Sequence, residues 1–137
     1  MTAEALFREA VLLHGQGRLA EAGGLYLRLL AGSPTDHRVL HRLALVQFQQ
    51  GRHQEALATV GQALSFNPGA AEALLLKGAA LAALGRQEEA LGDFDRVLEA
   101  TPRDPAALKN RALTLFALGR TSESVKAFDR LLAQAPS

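Results

Sequence analysis

Apolar residues recur along this chain at three- and four-residue steps, and glycine and proline interrupt them at regular intervals. That spacing marks one face of an amphipathic helix. Gly17, Gly51, Gly85 and Gly119 are each followed by arginine (Arg18, Arg52, Arg86, Arg120), always 34 residues apart. Pro34, Pro68, Pro102 and Pro136 keep the same interval, as do Leu6, Leu40, Leu74 and Leu108, and Leu30, Leu64, Leu98 and Leu132. A fixed period of this size is the signature of stacked supersecondary units.

Each column has a physical role. Glycine just beyond a periodic segment is a left-handed helix stop, so Gly51 and Gly85 are expected at positive φ. Residues before it, such as Ala79 to Leu84, read as one helix. Residues after it, such as Gln87 to Glu99, read as a second, with acidic side chains in its first turn where the helix dipole favours them. Each proline closes that second helix, because it lacks an N–H and crowds the turn before it. Asp104 before Pro105 suits an N-cap followed by proline at the first helical position. Eight helices joined by short turns result.

The small residues Ala10, Ala44, Gly78 and Ala112, then Ala22, Ala56 and Ala90, the aromatics Tyr26, Phe94 and Phe128, and the closing prolines together resemble the tetratricopeptide repeat, over residues 3 to 137. The resemblance implies an all-α, right-handed superhelical solenoid of four helix–turn–helix repeats, at about 3–36, 37–70, 71–104 and 105–137, forming a single array. It also implies that first helices line a concave groove and second helices face outward. Departures are leucine where tryptophan is common (Leu6, Leu40, Leu74, Leu108), Val60 for an aromatic, and Ser124 for a small alanine. The last two are expected to loosen packing locally. A unit below roughly 40 residues seldom buries enough surface to stand alone, so stacking must supply the core.

Composition narrows the function classes. With 15 Lys and Arg against 14 Asp and Glu, the net charge of +1 is too small to argue for nucleic acid or an anionic membrane. There is no cysteine, which removes disulfides and thiolate metal sites. Glu4, Arg8 and Glu9 interrupt any signal-peptide core, and no apolar run approaches the ~20 residues of a membrane span. A cytoplasmic protein is the expectation.

Candidate chemistry is thin. Gly15-Gln16-Gly17 imitates part of a dinucleotide fingerprint, but a helix precedes it and the last glycine belongs to the repeat. His37 and His41 have a spacing that can share a metal, yet lack a third ligand. Glu88, Glu89, Asp93, Asp95 and Glu99 fall on one second helix and read as a solvated acidic face. No nucleophile elbow, phosphate loop or zinc-protease motif is present. No enzyme activity, cofactor or metal is expected.

The first helices carry the sharper signal. In the second repeat, Arg38, His41, Arg42, Leu45 and Phe48 share a face that the packing stripe does not use. Leu75, Leu76, Ala79 and Ala82 follow in the third repeat, and Lys109, Asn110, Leu113 and Phe116 in the fourth. A helix apolar nearly all round, as between Ala71 and Leu84, is normally covered on both sides. An apolar floor rimmed by Arg38, Arg42, Lys109 and Arg111 suits a partner peptide or helix bearing acidic side chains. Arg38 and Arg42 resemble the last part of the clamp with which some relatives grip a terminal carboxylate. The Lys/Asn pair that should precede them has no room, and Arg8 stands where the middle Asn belongs. The reading is therefore an adaptor that binds a protein or peptide. Alternatives are the repeat module of a longer enzyme, such as a glycosyltransferase, or a scaffold self-associating through Phe128, Leu131 and Leu132 at its last repeat.

Overall fold

The computed structural model describes residues 1–134. These hold eight helices and no strand: α1 (Ala3–Gly15), α2 (Leu19–Gly32), α3 (His37–Gln49), α4 (His53–Phe66), α5 (Ala71–Ala83), α6 (Gln87–Ala100), α7 (Pro105–Ala117) and α8 (Thr121–Gln134). The last proline of its column, Pro136, lies outside the described residues.

The Gly–Arg steps join each first helix to its second. Gly17, Gly51, Gly85 and Gly119 have φ of 79, 80, 82 and 74°, the left-handed conformation expected of the column. Each glycine N–H donates to the carbonyl three residues back (His14, Phe48, Ala82, Phe116). Each arginine N–H donates to the one five back (Leu13, Gln47, Leu81, Leu115), all at 2.8 to 3.0 Å. These paired bonds satisfy carbonyls that a helix end otherwise leaves open.

The arginine then does a second job. Arg18 donates through Nε and Nη2 to both carboxylate oxygens of Glu21, at 2.9 and 2.7 Å. Arg86 grips Glu89 at 2.9 and 2.8 Å, and Arg120 grips Glu123 at 3.1 and 2.7 Å. Arg52 and Glu55 form the same fork. The acidic side chains expected in the first turn thus serve as partners of the arginines as well as of the helix dipole.

Between repeats the chain turns over four residues. Asp36 N–H donates to Ser33, Ala70 to Asn67 and Asp104 to Thr101, at 3.1 to 3.2 Å. Asp36 then caps α3 by accepting from the Arg38 N–H at 3.1 Å. Asp104 caps α7 through the Ala107 N–H at 3.0 Å, with Pro105 starting the helix as expected. Thr2 does the same for α1. The matching position before α5 is Ala70, which has no side-chain acceptor.

The chain divides into two compact units, Met1–Ala73 and Leu74–Ser137. In the first, Tyr26 of α2 is wholly buried among Ala10, Leu13 and Ala22 and the α3 residues Val39, Leu43 and Val46. In the second, Leu91, Ala112, Leu115 and Ala127 cluster, with Leu118 and Phe128 against them. Leu40, Leu74 and Leu108 are buried, while Leu6 is half-buried. Buried leucines of this kind contribute on the order of 1.5–3 kcal/mol each. Ser124 does not loosen the last repeat: its buried hydroxyl donates to the Ala112 carbonyl at 3.1 Å, so the extra oxygen is satisfied within the packing.

Candidate functional site

The first half of α3 projects His37, Arg38, His41 and Arg42 into a pocket of about 470 Å³ in the first unit. Phe7 of α1, Ala63 of α4, Asn67 and Ala70 of the following turn, and Ala71, Glu72 and Ala73 complete its lining. The chain builds it simply: alanines keep one wall low, and the helical spacing of His37, Arg38, His41 and Arg42 puts polar groups along the other.

The two arginines differ in state. Arg38 lies over the Phe7 ring, 5.0 Å from its centre, and is held by Glu4 at 3.2 Å and Asp36 at 3.5 Å. It is a neutralised group, and the rim is less basic than the sequence implied. Arg42 is half-buried and has no carboxylate within ion-pair distance among the described residues. His41 sits beside it. Burial pushes the imidazole below its ordinary pKa; Glu72 pulls it back up, and Arg42 lowers it further. At neutral pH His41 is therefore uncharged, with one N–H to donate. A second pocket of about 290 Å³, between the start of α1 and the end of α2, shares Phe7 and Arg38.

Further along α3, Leu45 is half-buried and the Phe48 ring lies 4.8 Å from His53. In the second unit, Leu75 and Ala79 are half-buried, while Leu76 is buried and belongs with the packing side chains. On α7, Lys109 and Phe116 are exposed, as is Leu113; Asn110 is half-buried and Arg111 is tied to Asp95 at 2.7 Å. At α8, Phe128 and Leu131 are half-buried and Leu132 is exposed.

One other residue falls differently from expectation. Among the acidic residues of α6, Asp93 is not on a solvated face. It is buried, with one oxygen 3.4 Å from Lys77 Nζ and the other without a hydrogen-bond partner among the described residues. Burial raises its carboxyl pKa and Lys77 partly offsets the rise. The signal was present in the repeat: residues 25, 59 and 127 of the same column are Leu, Thr and Ala, so a carboxylate there is an inward polar outlier. His14, for its part, hydrogen-bonds Gln49 at 2.7 Å and stands edge-on to Tyr26. Among the described residues no three His, Asp or Glu side chains gather as a metal site, and no helix is long and apolar enough to cross a membrane.

Paired helices on one 34-residue period, stopped by left-handed glycines and packed through columns of small side chains, define an all-α helical-repeat protein. A profile of the tetratricopeptide repeat matches residues 1–37, 41–105 and 88–137, and the chain belongs to that family. Solved structures agree. A tetratricopeptide repeat protein from Parabacteroides merdae ATCC 43184 is 26% identical with a TM-score of 0.83, covering 96% of this chain and 52% of its own. MamA from Desulfovibrio magneticus RS-1 is 15% identical with a TM-score of 0.91, over 96% of this chain and 75% of its own. Another MamA crystal structure is 19% identical with a TM-score of 0.88, over 96% and 77%. The MamA likenesses are likenesses of fold. No curated protein matches at a significant level.

Proposed function

We propose that this chain is a protein-interaction scaffold whose first unit holds an acidic peptide segment of a partner against α3. The observation that carries the reading is Arg42, a half-buried cation with no carboxylate within ion-pair distance among the described residues, in a recess lined by Phe7 and four alanines. Partial burial weakens the hydration of a cation that no carboxylate neutralises, and an incoming Asp or Glu compensates it with a charge-assisted hydrogen bond. Phe7 and the alanines supply apolar contact, Arg42 fixes register, and the neutral His41 offers a further donor. Glu72 also lines the recess and repels acid, so the partner's carboxylate is expected at Arg42 rather than beside Glu72. Leu45 and Phe48 extend the surface along α3. The second unit offers a contact surface of its own on its first helices, at Leu75, Ala79, Lys109, Asn110 and Phe116.

Selection of displayed peptides on the immobilised chain tests this. Enriched sequences should carry Asp or Glu beside apolar residues, and Arg42→Glu should weaken their binding by roughly tenfold or more, with a larger loss at low salt than at high salt. Equal binding by Arg42→Glu, with circular dichroism confirming an unchanged fold, would sink the proposal.

A further inference from the structure

The third and fourth repeats build the same corner with different charges. In the third, the Asp93 carboxylate of α6 is buried, and one of its oxygens lies 3.4 Å from Lys77 Nζ on α5. The Arg96 guanidinium, three residues further along α6, also favours its charged form. Residues 34 apart hold equivalent places, so Arg111, Ala127 and Arg130 stand in the fourth repeat where Lys77, Asp93 and Arg96 stand in the third. Both cationic places are kept, and the carboxylate between them is replaced by a methyl group. A recess of about 220 Å³ results, lined by Arg111 of α7 and by Glu123, Lys126, Ala127 and Arg130 of α8. Lys126, where the third repeat has Gly92, adds another cation.

The recess lies on the side of α8 turned towards the preceding helices. Leu91 and Asp95 are the residues with which α6 meets α7. Their equivalents on α8, Val125 and Asp129, lie nearly opposite the recess on the helical wheel. Its lining therefore does not depend on what α8 meets on its other side.

The charges around the recess do not cancel. Asp95 neutralises Arg111 at 2.7 Å, and the Arg120 fork neutralises Glu123. Lys126 and Arg130 have no carboxylate within ion-pair distance among the described residues, and Arg130 donates instead to the neutral Pro102 carbonyl at 3.0 Å. Two positive charges are left over.

We propose that this recess binds a phosphate monoester or free phosphate, an external counterpart of the Asp93 carboxylate. Such a group carries about −1.5 to −2 charges at pH 7, which balances Lys126 and Arg130, whereas a single carboxylate leaves one cation over. The arginine fork matches tetrahedral oxyanions as well as carboxylates, and the recess has room for a group larger than the carboxylate that separates Asp from Ala. This site is independent of the peptide-binding proposal, which concerns α3.

Calorimetric titration of the full chain at fixed ionic strength tests this, with circular dichroism as the control for folding. The two probes are inorganic phosphate and a short glycine peptide bearing one phosphoserine. The phosphopeptide should bind at least tenfold more tightly than its unphosphorylated twin. If inorganic phosphate binds as well as the phosphopeptide, the free ion is the ligand; if it binds much less well, the group is carried by a partner. Arg130→Gln, at an exposed position, should weaken binding by roughly tenfold or more. Ala127→Asp restores the Asp93 arrangement from within and should abolish binding. Arg42→Glu should leave phosphate binding unchanged, which separates this site from the first unit. No preference for the phosphorylated peptide, or native binding by both Arg130→Gln and Ala127→Asp, overturns the proposal.

Discussion

Gly78 and Gly92 offer a direct measurement of how tightly the third repeat is packed. Both are helix-interior glycines of the second unit. Alanine at either position gains the same intrinsic helix propensity, about 0.5–1 kcal/mol. Their surroundings are opposite. A Cβ at Gly92 meets nothing within 4 Å, while one at Gly78 would lie 2.7 Å from Phe94 Cζ and overlap the ring edge. Phe94 is 1% exposed, so the ring has no solvent to swing into. Overpacking of this kind typically costs about 1–3 kcal/mol. Gly92→Ala should therefore stabilise by about 0.5–1 kcal/mol, and Gly78→Ala should fall below it by about 1–3 kcal/mol, ending near neutral or destabilised. Urea unfolding followed by circular dichroism on both variants gives the difference, in which propensity cancels. Phe94→Leu should cost less in the Gly78→Ala background than alone, because the two changes share one space. Equal stability of the two alanine variants, or strict additivity with Phe94→Leu, would refute the close approach of α5 and α6.

Two further outcomes are expected. Ala70→Asp puts an acceptor where Asp36 and Asp104 already cap their helices, and should stabilise by about 1 kcal/mol; the same variant adds a carboxylate to the pocket wall, so acidic peptides should bind it less well. Asp93 has a folded-state pKa raised above its unfolded value by burial. The folded chain thus holds the proton more tightly, and the stability this contributes is present at low pH and lost as pH rises through the folded pKa. The stability of the native chain relative to Asp93→Asn should accordingly fall as pH rises from about 4 towards neutrality, by thermal melts across that range; a difference that rises or stays flat contradicts the buried carboxylate.

What the sequence made legible was whatever the repeat's recurrence or a local backbone rule enforces. The glycine stops, the buried leucine column and the Asp104–Pro105 helix start all follow from local backbone rules, and they agree with the structure. Pairings across helices were less accessible. Arg38 was read as a free rim charge because Glu4, its partner, lies on another helix a full repeat earlier. Asp93 was placed with its solvated neighbours because helical spacing alone does not say which side of α6 meets Lys77. The Arg–Glu forks were legible only on the arginine side; the glutamates three residues on, repeated each time, complete them. Ser124 shows the converse case: a polar residue in a small column looks like a defect until its acceptor, the Ala112 carbonyl, is known.

The Gly–Arg steps also decide where this chain can change length. At each one, a single arginine closes the first helix with its backbone N–H and clasps the second with its side chain. An inserted residue would separate those two tasks and leave one helix end open. At the turns Ser33–Asp36 and Thr101–Asp104 one aspartate likewise does both, its N–H closing the turn and its carboxylate capping the helix that follows; at Asn67–Ala70 the last residue closes the turn but has no side chain with which to cap α5. Added length therefore costs least at Asn67–Ala70, where no aspartate couples the turn to the helix that follows, and more at the Gly–Arg steps and the two aspartate turns.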